Sequence, residues 1–176
     1  METPATMAPR QDTFIEAHDK PRPSAIEKRK AQSPGLYYLI TQQPFFKGLN
    51  ANQFQMLTDS AIEMQFEPGQ SIFQEGKPAN RFYLILEGKV ALESELKGHD
   101  TVLIQTLGAG DELGWSWQFR SSNLLLSAHA LEPTKTIFFY GTHLRQQCEQ
   151  DHELGYQLMQ RVAEVATRCV RAIQQA

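Results

Sequence analysis

The chain has 176 residues, with 17 basic and 20 acidic side chains and a formal net charge of −3 at pH 7. This length suits one domain with a single core plus tails, and the acidic balance argues against a protein that coats nucleic acid through charge. The only cysteines, Cys148 and Cys169, are too few for a disulfide framework or a four-thiolate metal site. No apolar run is long enough to span a membrane and no secretory pattern opens the chain, so we expect a cytoplasmic protein.

Residues 1–35 are predicted to form a mobile, proline-rich tail. Large apolar side chains are sparse there, and prolines interrupt any helix longer than about three turns. These prolines are Pro4, Pro9, Pro21, Pro23 and Pro34. A short helix over residues 13–20, formed on contact with a partner, is the alternative for this segment.

Residues 36–141 carry the pattern of a mainly β domain with flanking helices. Apolar residues 36–40 must cover a surface, and Asn50 stands at an N-cap position ahead of a predicted helix over residues 51–61. Strands are then predicted at residues 71–73, 82–92 with a break at 87–88, 101–107, 124–131 and 134–140, with a hairpin tip at 97–100. Short strands with a turn residue at nearly every junction favour a β-roll or jelly roll over a parallel α/β sheet.

Residues 142–176 are predicted to form a short helix over 142–149 and a long one over 151–176. On the long helix an apolar seam repeats at coiled-coil spacing. Its members are Leu158, Val162, Val165, Cys169 and Ala172. A second set of apolar residues widens the stripe on one flank, namely Met159, Ala166, Val170 and Ile173. A stripe this wide predicts a homodimer helix that also contacts its own roll; the alternative is a helix that folds back wholly onto that roll.

Four segments, in this order, carry a resemblance to a known family. They are Phe-Lys-Gly-Leu at 46–49, Phe-Glu-Pro-Gly-Gln-Ser-Ile-Phe at 66–73, Tyr-Leu-Ile-Leu-Glu-Gly-Lys-Val at 83–90 and Leu-Gly-Ala-Gly-Asp at 107–111. Together with the long helix they resemble the cyclic nucleotide-binding domain of the catabolite-activator (Crp/Fnr) superfamily. The resemblance implies a β-roll followed by a dimerisation helix, and a regulatory, non-enzymatic role. No helix-turn-helix pattern follows the long helix, so we expect no direct binding of nucleic acid.

The ligand site departs from the family pattern. The family's phosphate-binding cassette reads Phe-Gly-Glu followed, about ten residues later, by Arg-x-Ala. The resemblance gives the glutamate to the ribose hydroxyl and the arginine to the phosphate. Here the triplet is Leu113-Gly114-Trp115, and Leu124 and Leu126 stand at the arginine and alanine positions. Cyclic nucleotide binding is therefore disfavoured, and we expect the module to sense a different small molecule or a protein partner.

The predicted ligand pocket centres on this altered cassette. Its candidate residues are Leu113, Gly114, Trp115, Ser116, Trp117, Arg120, Leu124, Leu126 and Ser127. The two indoles could stack on a planar ligand, or one could enter the core while the other covers the long helix. Asp111 and Glu112, adjacent carboxylates on a turn, are expected to be solvated. No catalytic group, metal site or cofactor is expected, because the five histidines are scattered.

Two other functions remain open from the sequence. The chain could be a genuine cyclic AMP or cyclic GMP regulator in which Arg120 and the backbone N–H groups of Gly114 and Ser116 hold the phosphate. A cupin-like metalloenzyme is the alternative from another class, because a β-roll with histidines invites that comparison, but this sequence lacks the two histidines close together on one strand that such a site needs. Calorimetry with cyclic nucleotides and metal analysis would separate the three.

Overall fold

The computed structural model describes residues 34–95, 101–119 and 122–176. Residues 1–33 of the predicted tail at 1–35, the hairpin tip at 97–100 and Arg120 lie outside the described residues. The first helix begins at Pro34, so the last two residues assigned to the tail are helical.

Two helices and a short 3₁₀ helix precede the sheets. Helix α1 covers Pro34–Thr41, the 3₁₀ helix covers Pro44–Phe46, and α2 covers Ala51–Ser60. The predicted cap is confirmed: the Asn50 side chain accepts a hydrogen bond from the Gln53 backbone N–H at 3.0 Å, and the Gln53 side chain accepts one from the Asn50 N–H at 3.0 Å. This reciprocal pair starts α2 by satisfying N–H groups that the helix itself leaves unpaired.

Eight strands form two four-stranded antiparallel sheets. The strands are β1 (Ile62–Phe66), β2 (Ser71–Phe73), β3 (Arg81–Glu87), β4 (Val90–Glu95), β5 (Thr101–Leu107), β6 (Glu112–Leu113), β7 (Ser127–Ala130) and β8 (Thr134–Tyr140). One sheet has the order β1-β8-β3-β6, and the other has the order β2-β7-β4-β5. Aromatic and branched side chains between the sheets, among them Tyr83, Ile85 and Phe138, form a buried cluster. The predicted mainly β fold with flanking helices is confirmed.

The strand predicted over residues 124–131 is shorter than expected. Only Ser127–Ala130 pairs as β7. The backbone of Leu124 instead bonds to a turn: its N–H donates to the Lys77 carbonyl at 2.8 Å, and its carbonyl accepts from the Gly76 N–H at 2.9 Å. Because these groups are used by the turn, residues 124–126 leave the sheet and approach the family's ligand position.

Two helices close the fold, α3 (Gly141–Gln150) and α4 (His152–Gln175). Asp151 lies between them; its side chain caps α4 through the Leu154 N–H at 2.9 Å and accepts from the Gln53 side chain at 3.0 Å, which ties α4 to α2. Arg161 anchors the middle of α4 by donating to the carbonyls of Phe45, at 2.7 Å, and Lys47. Among the described residues, no helix is both long and apolar enough to cross a membrane.

The structure corrects the predicted dimer seam on α4. Leu158, Val162, Val165 and Cys169 are buried against the rest of the same chain, and Ala172 is half-buried at the end of the same face. The seam is therefore an intramolecular contact, because the periodicity of an apolar stripe does not say which surface will cover it. The apolar residues that flank the seam are instead left exposed by the rest of the chain: Met159, Val170 and Ile173 are 44%, 51% and 43% exposed.

Candidate functional site

Gly114 forms the sharp corner at the centre of the candidate site. It has φ +75° and precedes a 3₁₀ helix, Trp115–Gln118, which we call the cassette turn. A Cβ at this position would lie 2.2 Å from the Arg81 carbonyl oxygen of β3. Both the left-handed backbone and the contact with β3 require glycine. The retention of Gly114 is thus explained by packing alone and does not depend on a phosphate.

The two indoles of the cassette turn have different environments. Trp117 is fully buried in a second core cluster, formed by residues of the helices together with residues of β3 and β8, and its ring centroid lies 6.1 Å from that of Phe82. It does not line the cavity, which corrects its assignment to the pocket. Trp115 is half-buried, lies edge-on to Phe119 at 6.3 Å and hydrogen-bonds to the Cys169 thiol on α4. The structure therefore has one indole in the core and the other in contact with the long helix, rather than two indoles positioned to stack on a planar ligand.

The segment before β7 presents leucines where the family pattern has its arginine and alanine. Leu124 and Leu126 are 4% and 7% exposed and belong to the buried cluster between the sheets, whereas Leu125 between them is 56% exposed. Both buried leucines line the cavity. Ser127, the first residue of β7, is not part of the lining; its hydroxyl accepts a hydrogen bond from the Glu75 N–H at 3.0 Å instead, which corrects that candidate.

A small cavity remains at this position. Its volume is about 50 Å³, and the lining comes from the cassette turn, the 124–126 segment, β5 and α4. Of the predicted residues, the structure brings together Leu113, Gly114, Trp115, Ser116, Leu124 and Leu126 around it. A cavity of this size holds a few water molecules, whereas pockets for drug-sized ligands span about 300–1,000 Å³.

An ion pair with a buried carboxylate forms part of the cavity wall. Glu112 of β6 is 8% exposed and its carboxylate accepts from the Arg168 guanidinium of α4; both residues line the cavity. Asp111 also lines it, but its carboxylate accepts from the Gly108 N–H at 2.8 Å and closes a turn. Within the described part of the chain, Arg168 is the only cationic side chain on the lining.

The electrostatics of Glu112 are those of a desolvated acid. Burial raises the pKa of Glu112 to about 6, and Arg168 only partly offsets this effect. The expectation of two solvated carboxylates is wrong for Glu112. Strand alternation gives no signal for it, because neighbouring residues of a strand face opposite sides of the sheet, and here both Glu112 and Leu113 are buried.

The Cys169 thiol lies on the cavity wall in largely apolar surroundings. Burial raises the pKa of Cys169, and the hydrogen bond from Trp115 opposes that shift only in part. A thiol in such surroundings stays protonated and packs as a small apolar side chain. Among residues 34–95, 101–119 and 122–176, no group of three or more His, Cys, Asp or Glu side chains is placed to hold a metal ion.

The geometry and the sequence now identify the class. The model of the cyclic nucleotide-binding domain family matches residues 63–151, about half of the chain, which covers β1 to the end of α3. The chain therefore belongs to the cyclic nucleotide-binding domain family.

Relatives and solved structures agree with this class. A CRP-like cAMP-activated global transcriptional regulator of Mycobacterium tuberculosis is 23% identical over 125 residues, covering 71% of this chain; the chain spans 56% of that relative's length. A structure of a Geobacter metallireducens protein assigned to the cyclic nucleotide-binding proteins has a TM-score of 0.66 and 27% identity, covering 74% of this chain and 95% of that one. The regulatory subunit of a cAMP-independent protein kinase A from Trypanosoma brucei has a TM-score of 0.61 and 22% identity, covering 76% and 45%.

Proposed function

We propose that this chain is a non-enzymatic regulatory module of the Crp type that does not take cyclic nucleotides and signals through a different small molecule or a protein partner. One observation carries the proposal: Trp115 and Leu124 replace the carboxylate and the guanidinium of the cassette, and only about 50 Å³ is left beside them. A neighbour of the same fold that is cAMP-independent supports it.

The chemistry of the cavity disfavours a cyclic phosphate. Among the residues that the structure describes, a phosphate seated there would find no free cation, because Arg168 is already paired with Glu112. Losing one charge-assisted hydrogen bond costs about 1.5–3 kcal/mol, which is roughly a 10- to 100-fold loss of affinity. The Trp115 indole offers one donor and no acceptor, so it cannot replace a carboxylate that accepts from a ribose hydroxyl.

Calorimetry with cyclic AMP and cyclic GMP tests the proposal directly. We expect no heat of binding for the natural sequence at micromolar nucleotide. Binding that is abolished by Arg120→Ala would overturn the proposal and establish the genuine cyclic nucleotide regulator instead.

A gain-of-function variant tests the assigned cause. The triple variant Trp115→Glu, Leu124→Arg, Leu126→Ala restores the carboxylate, the cation and the small residue of the family pattern. We expect it to bind cyclic AMP where the natural sequence does not. The matched control replaces Leu124→Arg by Leu125→Arg, whose side chain is 56% exposed and cannot serve the same phosphate position. Equal binding by both triples would show that the cassette positions are misassigned.

The module is proposed to act as a homodimer through the uncovered face of α4. Apolar residues on this face, which we call the outer stripe, follow one another at steps of three and four. The outer stripe consists of Tyr156, Met159, Ala163, Ala166, Val170 and Ile173. It has the a/d spacing of a two-stranded coiled coil, and a second copy presents the same stripe in register. Small alanines at its centre permit close approach of the two helices.

A further inference from the structure

The ion pair on the cavity wall connects β6 with α4, two parts of the fold that meet largely through uncharged side chains. Glu112 lies on β6, which is the edge strand of its sheet, and Arg168 lies in the last third of α4. Their neighbours at the cavity, Val165 and Cys169 on α4, are apolar or uncharged. The pair is therefore the one charged link between the cavity wall and α4 among the described residues.

The two partners differ in their access to solvent. The Glu112 side chain is 7% exposed, and the Arg168 side chain is 54% exposed. Arg168 thus stands at the mouth of the cavity, with one side towards water and the other towards the buried carboxylate. If the carboxylate loses its charge, Arg168 can return to water at little cost, while Glu112 stays inside as a neutral acid.

We propose that Glu112 and Arg168 form a proton-operated latch, in which the ionised pair holds α4 against the cavity wall and protonation of Glu112 releases Arg168 and opens the cavity mouth. The latch does not depend on which ligand the cavity takes, and it acts in the isolated chain. It gives α4, the element on which the outer stripe lies, a response to pH.

The charges around Glu112 set the direction of this response. Arg168 favours the ionised form, whereas Asp111 on the preceding turn and Glu164 on α4 oppose it. β3 places Leu84 opposite Glu112 in the sheet, and β5 contributes the uncharged Gln105 to the lining. Burial is the largest influence and raises the pKa of Glu112 to about 6, so the latch is expected to open as the pH falls through that value.

Trp115 supplies a reporter for the opening. Its indole contacts Cys169, one residue from Arg168, while Trp117 is fully buried in the other core cluster. Quenching of tryptophan fluorescence by acrylamide, a neutral quencher, measures the access of water-borne solutes to Trp115. The full chain is titrated between about pH 8 and about pH 5, and far-UV circular dichroism is followed in parallel.

The natural chain is expected to show increased quenching at low pH with a midpoint near 6, without a change in helix signal. Glu112→Gln and Arg168→Met both break the latch, so each is expected to lose the transition and to show high quenching throughout. Glu164→Gln is the matched control, since it removes a nearby carboxylate but leaves the pair, and it is expected to keep the transition. Trp115→Phe removes the reporter and should abolish the signal.

Three results overturn the proposal. These are a natural chain whose quenching is the same at both ends of the titration, a Glu112→Gln variant that keeps the transition, and a dichroism change with the same midpoint, which would mean that the chain unfolds. None of them bears on nucleotide affinity, so failure of the latch and failure of the proposed function are distinguished.

Discussion

Helix α4 has a buried seam and an exposed outer stripe, and one valine substitution on each distinguishes their roles. Val162 is 2% exposed and Val170 is 51% exposed on the same helix. Val162→Ala removes two buried methyl groups at about 0.8 kcal/mol each and leaves a small cavity, about 2 kcal/mol in all. In a domain of this size that lowers the melting temperature by about 4–8 °C. Val170→Glu removes no intramolecular contact of comparable size, so the stability of the monomer is expected to change by less than about 0.5 kcal/mol.

Sedimentation and thermal melting separate the two effects. Val162→Ala is expected to melt earlier and remain dimeric, and Val170→Glu is expected to be monomeric because each dimer would bring two carboxylates into its apolar centre. Arg171→Glu is the matched control for the added carboxylate, since the next residue points about 100° away round the helix. If Val170→Glu still sediments as a dimer, the outer stripe is not the interface and the reasoning from exposure fails.

The remaining predictions concern the cassette and the buried titratable groups. Gly114→Ala should prevent folding, because its Cβ would lie 2.2 Å from the Arg81 carbonyl oxygen. Gly110→Ala is the matched control: its Cβ would come no closer than 4.0 Å to a residue other than its chain neighbours, so only its positive φ should cost stability, about 1–2 kcal/mol. Soluble yield and the denaturant midpoint of unfolding are measured for both variants. The pKa of Glu112 is raised from 4.5 to about 6, so the folded state favours the protonated acid over the ionised one. The contribution of this protonated acid to the stability of the fold is complete below about pH 4.5 and is lost as the pH rises through 6. Glu112→Gln should accordingly raise the unfolding free energy at about pH 7.5 by up to about 2 kcal/mol and flatten its pH dependence in urea titrations. Burial and two nearby acids raise the pKa of Cys148 to about 11, so iodoacetamide should label it roughly 100-fold more slowly than a free thiol at pH 8, and labelling at the free-thiol rate would contradict the burial.

Local signals in the sequence were sufficient for most of the fold. The Asn50 cap, the glycine turns and the strand alternation depend on neighbouring residues, and the structure has them where they were expected. The segment 124–126 was assigned to a strand because its leucines resemble strand residues. Its backbone bonds instead to the turn at Gly76 and Lys77, almost fifty residues earlier in the chain, and a contact of that range leaves no local pattern.

The candidate site was predictable in its position but not in its charges. The altered cassette residues could be located by their order along the chain, and the cavity lies among them. The pairing of Glu112 with Arg168 spans 56 residues, and its burial depends on how α4 crosses the roll. The prediction that the seam at residues 158–172 forms a dimer interface was wrong for a related reason. Two apolar stripes on one helix have the same periodicity, and only packing decides which of them contacts the chain's own roll.

Leu124, Glu112 and Arg168 line the same cavity, so we expect a charge placed at position 124 to act on the ion pair, and this expectation can be tested. With Leu124 in the arginine position, the cavity lining holds the carboxylate of Glu112, and Arg168 from α4 is the cation that pairs with it. Leu124→Arg would place a second guanidinium on the same lining, where it stabilises the ionised form of Glu112 and lowers the pKa of that carboxyl.

The expected result is a shift of the Trp115 quenching midpoint to lower pH, because Glu112 must then be protonated against two cations. Leu125→Arg, which adds the same charge on an exposed side chain, should leave the midpoint near 6. A midpoint that does not move with Leu124→Arg would mean that the cassette position and the ion pair do not share one electrostatic environment. In that case the cavity would consist of two independent halves, and α4 would be held by its apolar contacts rather than by Glu112.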